Sequence, residues 1–360
     1  MISNRYLAAM TCLIILMASC GQHRYFALDE YEIVPRFPQV IRVDVNNEER
    51  VRTGAMGVLG IKIIKDYIIL STQDEEGCLS VYEKKGGLYI NSFLKTGRGP
   101  GEILYYPYIS WLTFSDNHGM STVGIYDFQG RYWVYDILSS AQSGHPVGTL
   151  LRDSLSTTLG ARYFQLDSTR LLCRKGTEEQ NGFERYILED NGMISFNKSI
   201  TRLNGFTSSN PNLLSTIMLI NHNRGIIAEC GSGLPSIHLY SSESNDSGMT
   251  ILLGDDPMDL TTAESTPEEE RVRNYYDAKP YENGFAALYL GTTHDQLDSG
   301  SFPLPEIHIF SWKGEPLAKV LYPIRTLCFD IDWEECVLYL IDVETEDIVK
   351  YPIPKILKNN

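Results

Sequence analysis

Six short segments of this 360-residue chain end alike, each an apolar, strand-like stretch that closes on an aromatic residue. They are Leu79-Ser80-Val81-Tyr82, Tyr132-Trp133-Val134-Tyr135, Phe183-Glu184-Arg185-Tyr186, Ile237-His238-Leu239-Tyr240, Ile307-His308-Ile309-Phe310 and Ile348-Val349-Lys350-Tyr351. The closing aromatics lie 53, 51, 54, 70 and 41 residues apart. A period of that length marks a repeated supersecondary unit that buries its apolar face only against its neighbours. A second apolar stretch precedes each segment, at 68–70, 123–126, 171–173, 226–228, 286–289 and 337–340. In most units a third lies further upstream, as at 59–64, 109–114, 213–220 and 327–331. A fourth follows the turn, as at 88–94 and 317–321, after Gly- or Asn-bearing corners such as Lys84-Lys85-Gly86-Gly87 and Glu189-Asp190-Asn191-Gly192. Four strands of about five residues with such turns form an antiparallel meander, and meanders repeated about an axis form a β-propeller. No Gly/Ser-rich linker separates the units, which argues against a two-domain β protein.

The sixth unit has no fourth strand of its own, because Pro352 and Pro354 follow Tyr351 and oppose a further central strand. Residues 40–45, Val-Ile-Arg-Val-Asp-Val, form a lone alternating strand ahead of the first complete unit. Pairing it beside residues 348–351 would bring both chain ends into one sheet and close the ring without an orphan edge. The expected fold is therefore all-β, a six-bladed propeller of four-stranded antiparallel blades spanning 39–360, closed by the amino-terminal strand in the last blade.

Ahead of the propeller, residues 1–19 carry one charge, Arg5, followed by a 13-residue uncharged run at 6–18. That is short for a membrane span and reads as a secretory signal core. Leu16-Met17-Ala18-Ser19-Cys20 resembles the lipobox of bacterial lipoproteins, with Met17 where that group usually has Leu. The resemblance implies lipidation of Cys20 as the first mature residue, with 20–38 as a tether to the outer membrane of the cell envelope. Diacyl and amide-linked chains together would anchor it stably. Five further cysteines at irregular spacing, Cys78, Cys173, Cys230, Cys328 and Cys336, fit buried free thiols, Cys328–Cys336 being the one local pair worth checking as a bridge.

Leu94-Lys95-Thr96-Gly97-Arg98-Gly99-Pro100-Gly101-Glu102 is similar to a Gly-Pro-Gly-Glu signature of TolB-like six-bladed propeller lipoproteins from Bacteroidetes. That resemblance implies an exported propeller and supplies no catalytic residues. The loop is not a phosphate cradle, since no Lys-Ser/Thr follows. Its glycines suit a sharp crossing between blades, with Glu102 placed to pair with Arg98 or a backbone amide.

In such blades the loops from strand two to three and from strand four to the next blade share one face of the disc. Residues 97–102, 254–271 and 291–305 are elaborated there, whereas turns such as 221–225 and 313–315 on the other face are short. Loops elaborated on a rigid scaffold are where binding surfaces arise. The elaborated loops are rich in Asp and Glu, including Asp74, Glu75, Glu76, Asp255, Asp256 and Glu268. A net charge of −15 gives no footprint for nucleic acid. Thr266-Pro267-Glu268-Glu269 carries helix-start chemistry and predicts a short helix to about Tyr276, lying over the disc mouth. Candidate ligand-binding residues are Arg98, Glu102, Arg271, Arg273, Tyr275, Tyr276, His294 and Asp295. No catalytic residue or metal ligand is assigned. The histidines show no i, i+2 or i, i+4 pairing, and matching positions mark His238 and His308 as framework. Residues 44–48 start like a calcium loop but lack its Gly and distal Glu, so no cofactor is expected beyond that weak calcium pattern. Three functions fit: an envelope binding or scaffold protein taking a glycan, peptide or protein partner, a propeller hydrolase or lyase for glycans or lactones, and an assembly subunit of an envelope complex marked by a broad apolar surface patch. The second requires polar groups such as Glu102, Arg273 and His294 to converge at the channel mouth.

Overall fold

The computed structural model describes residues 25–28, 30–99, 101–117, 120–158, 160–243 and 248–355. The expected signal segment, Cys20, His23, Pro100 and His118 lie outside the described residues. Six sheets follow one another along the chain. Blade 1 comprises Val58–Ile64, Tyr67–Thr72, Leu79–Glu83 and Tyr89–Phe93; blade 2 comprises Thr113–Asn117, Met120–Tyr126, Tyr132–Asp136 and Gly148–Arg152. Blade 3 comprises Arg162–Gln165, Leu171–Gly176, Phe183–Leu188 and Ile194–Ser195; blade 4 comprises Thr216–Asn221, Ile226–Gly231, Ser236–Ser241 and Met249–Leu253. Blade 5 comprises Val272–Pro280, Gly284–Thr293, Glu306–Ser311 and Pro316–Leu321, and blade 6 Phe329–Asp332, Val337–Ile341 and Ile348–Pro352 with Glu49–Val51.

The aromatic-ended segments are the third strands of the six blades, and all six aromatics are buried. Apolar residues pack into six clusters, one in each gap between neighbouring blades, including the gap between blade 6 and blade 1. A closed ring follows, because each sheet buries both faces and no blade could do so alone. Each fully buried Leu, Ile or Phe contributes about 1.5–3 kcal/mol. The gap between blades 2 and 3 is filled by Tyr126, Tyr132, Tyr163 and Tyr186.

The amino-terminal segment closes the ring by a different strand than residues 40–45. Glu49–Val51 pairs antiparallel with Ile348–Pro352, placing Val51 opposite Ile348 and Glu49 opposite Lys350. Val40–Arg42 instead adds in parallel to the outer strand of blade 5, and Glu30–Val34 adds in parallel to the outer strand of blade 4. A 3-10 turn at Val45–Asn47, capped by Asp44, re-aims the chain between the last two positions. Residues 30–51 thus run as a belt over the rims of blades 4, 5 and 6. Each belt strand inserts one apolar side chain into the next gap: Val34 between blades 4 and 5, Ile41 between 5 and 6, Val51 between 6 and 1. Upstream, Phe26 and Leu28 are buried between blades 3 and 4. Much of the segment expected as a tether up to residue 38 therefore packs on the propeller. The five described cysteines are buried free thiols, Cys328 and Cys336 included.

The predicted helix at 266–276 is absent. A helix, Leu260–Ser265, ends just before it, capped at its start by Asp259. A 3-10 turn covers Glu268–Glu270, and Val272–Pro280 is the nine-residue inner strand of blade 5. Thr266, read as a start, closes the preceding helix with its hydroxyl on the Thr262 carbonyl. The opposite face also carries one helix, Ile137–Ser143, between the third and fourth strands of blade 2, where only short turns were expected.

Candidate functional site

The Gly-rich crossing between blades 1 and 2 is built as a wall. The Glu102 carboxylate folds back to accept the Gly99 amide at 2.6 Å, and Gly101 takes a positive φ of 78°. The Gln129 side-chain amide, from the blade 2 turn, donates to the Glu102 carbonyl at 3.1 Å. That turn is itself fixed by buried Asp127, which accepts from the Gln129 and Arg131 amides at 2.8 and 3.0 Å and from the Arg131 guanidinium at 2.6 Å. Between them Phe128 is held at a φ of 60°, an uncommon conformation for a bulky residue. Such conformations persist where the surroundings impose them, and they cluster at binding sites.

Wall and turn enclose a cleft of about 1010 Å³ over blades 1, 2 and 3, on the elaborated face. Its aromatic lining is Tyr105, Tyr106, Tyr108, Trp111, Tyr126 and Phe128. Tyr105 is 58% and Tyr108 37% exposed. The rings support one another: Tyr105 meets Phe128 edge-on at 5.2 Å, and Tyr108 meets Trp111 at 4.6 Å. Arg162, at the start of blade 3, lies with its guanidinium 3.9 Å over Trp111 and 4.8 Å over Phe128. Burial lowers its pKa to about 10. Arg98 and Glu75 line the same cleft, and the Tyr106 hydroxyl reaches the Glu75 carboxylate at 3.5 Å.

A second cavity of about 320 Å³ opens at the axis among the inner strands, at the ends leading to the opposite face. Its lysines are satisfied: Lys62 by Asp330 at 3.0 Å, Lys65 by Asp116 at 2.6 Å and Lys279 by Asp277 at 2.7 Å. The aromatic cleft is the better site, because it presents the exposed rings of Tyr105 and Tyr108 and, among the described residues, its Arg98 and Arg162 close on no carboxylate.

Of the eight residues expected to bind ligand, Arg98 lines this cleft. Tyr276, 39% exposed on the inner strand of blade 5, is not part of its lining; burial, and then Tyr108, raise its phenol pKa. Glu102 is held by its own loop. Arg271 donates to the carbonyls of Ala263 and Thr266 and so caps the Leu260–Ser265 helix. Tyr275 is buried and bonds His308 Nδ1 at 3.1 Å, which removes it from any ligand-facing surface. His294 and Asp295 open the short helix His294–Asp298, where burial first and then Arg273 lower the His294 pKa. The structure does not bring Glu102 into that group. Tyr105, Tyr108, Trp111, Phe128 and Arg162 were missed, although four aromatics within 105–111, directly after the Gly-Pro-Gly-Glu loop, were visible.

The framework assignment of His238 and His308 holds: both are buried in equivalent third strands. The calcium-like residues are used locally, Asp44 accepting from Asn46 and Asn47, and Glu48 from Arg50 and Tyr351. Among the described residues no group of three His, Cys, Asp or Glu side chains is arranged to hold a metal ion. Several acidic residues of the elaborated face are likewise engaged, Glu76 by Lys95 and Glu264 by Ser208 and Ser209.

Fold and cleft together define a six-bladed β-propeller with an aromatic, arginine-bearing depression on its loop-rich face. Among solved structures the chain is similar to a protein of Bacteroides fragilis NCTC 9343 assigned as exported, at 12% identity, covering 89% of this chain and 98% of that one with a TM-score of 0.50. It is also similar to Raptor from Chaetomium thermophilum, at 11% identity over 85% of this chain and 28% of that one with a TM-score of 0.46. A luciferin-regenerating enzyme gives 9% identity over 86% and 97% with a TM-score of 0.46. These likenesses concern the fold, and those below 0.50 carry no further argument. No family profile and no curated protein matches the chain by sequence.

Proposed function

We propose that this chain is an exported, lipid-anchored binding protein of the TolB-like propeller type, and that its ligand seats in the cleft lined by Tyr105, Tyr108, Trp111 and Phe128. The observation that carries this reading is the cleft itself: rigidly walled, aromatic, and open on the face where the crossings are longest. Export finds support in the Bacteroides fragilis neighbour, assigned as exported, and in the leader pattern at 1–20. With Cys20 lipidated, the five residues to Tyr25 would reach at most about 18 Å, tethering the disc by the rim of blade 4. Binding without turnover is favoured over hydrolysis because Glu102, the carboxylate put forward for the hydrolase reading, accepts the Gly99 amide within its own loop.

The test is recovery of the tagged chain from its native envelope, with a glycan array run in parallel on the wild type and on a Tyr105→Ala/Trp111→Ala double variant. Ligand capture by the wild type and its loss in the variant is the expected result. Retention by the variant would move the site elsewhere. Radiolabelled palmitate should enter the wild type but not Cys20→Ser.

A further inference from the structure

Arg162 is one of three arginines in a row. The blade 3 register sets Arg162 directly opposite Arg174, and Arg174 directly opposite Arg185. Like charges directly opposite in a sheet destabilise it unless something offsets them. One carboxylate does so for Arg185: Glu229 of blade 4, bound through both oxygens at 2.7 and 2.8 Å. Arg174 bonds only the carbonyl and hydroxyl of Thr216, and its Nε is buried without a partner. Arg162 donates to the neighbouring Ala161 carbonyl at 2.9 Å and otherwise lies between aromatic rings, facing the cleft. Elsewhere Arg50, Arg131 and Arg170 each close on a carboxylate, whereas Arg273 on blade 5 shares with Arg174 a buried Nε without a partner. The row is short of negative charge at its cleft end. Desolvated charge of this kind is costly unless paired.

Resting on the cleft as the binding site, we propose that the ligand is an oligosaccharide bearing carboxylates, one of which takes the Arg162 guanidinium held between Trp111 and Phe128. A planar guanidinium pairs a carboxylate through two parallel hydrogen bonds. At about 1010 Å³ the cleft lies at the upper end for small-ligand sites, so it admits several rings rather than one ion. Exposed Tyr105 and Tyr108 offer flat faces to the C–H side of sugar rings, while Thr157 and Thr158 supply hydroxyls along the rim. The chain's net charge of −15 opposes anionic ligands in general, so a carboxylate has to be taken at the arginine-bearing part of the cleft, where Arg162 offsets that field locally.

Calorimetry on the mature chain tests this with oligogalacturonate and hyaluronan hexasaccharides, each paired with its carboxyl-reduced counterpart. At least one acid form should bind about tenfold or more tighter than its reduced partner. Arg162→Met should abolish that preference, the acid form losing more affinity than the reduced form, and Arg162→Lys should retain part of it. Trp111→Ala should weaken both forms. Equal binding of acid and reduced forms, or a preference that survives Arg162→Met, overturns the carboxylate assignment. If Trp111→Ala still weakens binding in that case, the cleft stands. Binding of both forms that neither variant alters sinks the assignment and the cleft together. Binding of no acid sugar overturns the glycan assignment, and the envelope capture then decides the cleft separately.

Discussion

Blades 4, 5 and 6 carry a belt, and blades 1, 2 and 3 carry the cleft. On the belted half every outer strand is covered or supplied by residues 30–51, and an apolar side chain from the belt plugs each gap. On the other half the outer strands Tyr89–Phe93, Gly148–Arg152 and Ile194–Ser195 have no further strand beyond them among the described residues, and Tyr89, Leu150 and Ile194 are exposed there. The unbelted half places its distinctive chemistry in the crossings and turns that wall the cleft. One repeat has thus been specialised twice, for rim stability on one side and for recognition on the other.

The halves meet at blades 3 and 4 through Arg185 and Glu229, both fully buried. Glu229→Leu strands Arg185 without a partner in the interior and should cost about 3–5 kcal/mol, the largest effect expected of any single change. Urea unfolding measures it. A loss below about 1 kcal/mol would mean that the seam does not couple the halves. Next, Phe26 packs edge-on to His238 at 4.3 Å in the belted half. Phe26→Ala should cost about 3 kcal/mol and speed amide exchange through Glu30–Val34. Leu150→Ala, on the exposed rim of blade 2, should stay within about 0.5 kcal/mol. Equal losses from the two would erase the distinction between halves.

The repeat was legible because it is written in large buried residues. All six third-strand aromatics and the apolar strands before them are core, so their spacing carries through uneven loops. The closing strand was not legible: Glu49-Arg50-Val51 buries one side chain and is held by pairing chemistry, Lys350 on Glu49 and Tyr351 on Glu48. Val40-Ile41-Arg42 has the stronger alternation but buries only Ile41, as an outermost strand does. At Thr266 local helix-start chemistry lost to tertiary context, because Arg271 caps the helix behind it and the ring requires an inner strand from Val272. Of the site, the Gly-rich crossing was readable as geometry. The arginine row was not, since it exists only once the blade 3 register places Arg162, Arg174 and Arg185 side by side.

Acid should act first on the belted half. His238 is buried against Phe26 and Thr250, and burial holds its pKa down to about 3 despite nearby Glu229, while Arg185 adds to the lowering. His308, between Tyr275, Phe37 and Glu306, is also lowered by burial. The unfolded chain takes up these protons below about pH 6.5 and the folded chain does not. Stability is therefore fully present above pH 6.5 and falls as the pH drops below it, by up to about 1.4 kcal/mol per pH unit for each histidine. Below about pH 4.5 Glu229, held down to about 2 chiefly by Arg185 against its burial, adds a further loss of the same sign. Urea midpoints at pH 7, 6 and 5 should decline for the wild type and decline less for His238→Gln. A flat wild-type profile over that range would remove the buried neutral histidines from the account.

The charges at the closure should contribute little. Arg50 bridges Glu48 at 2.6 Å and Asp342 at 2.8 Å across the junction of the chain ends, yet its side chain is 36% exposed. Exposed pairs contribute little because water screens them and both side chains lose freedom. Arg50→Ala should therefore cost under about 1 kcal/mol, and less at high salt. Val51→Ala, which hollows the gap between blades 6 and 1, should cost more, since Val51 is buried with Ile61, Tyr339 and Ile348. The reverse order in urea unfolding would mean that the ring is latched by charge rather than by packing, and the belt's apolar plugs would lose their assigned role.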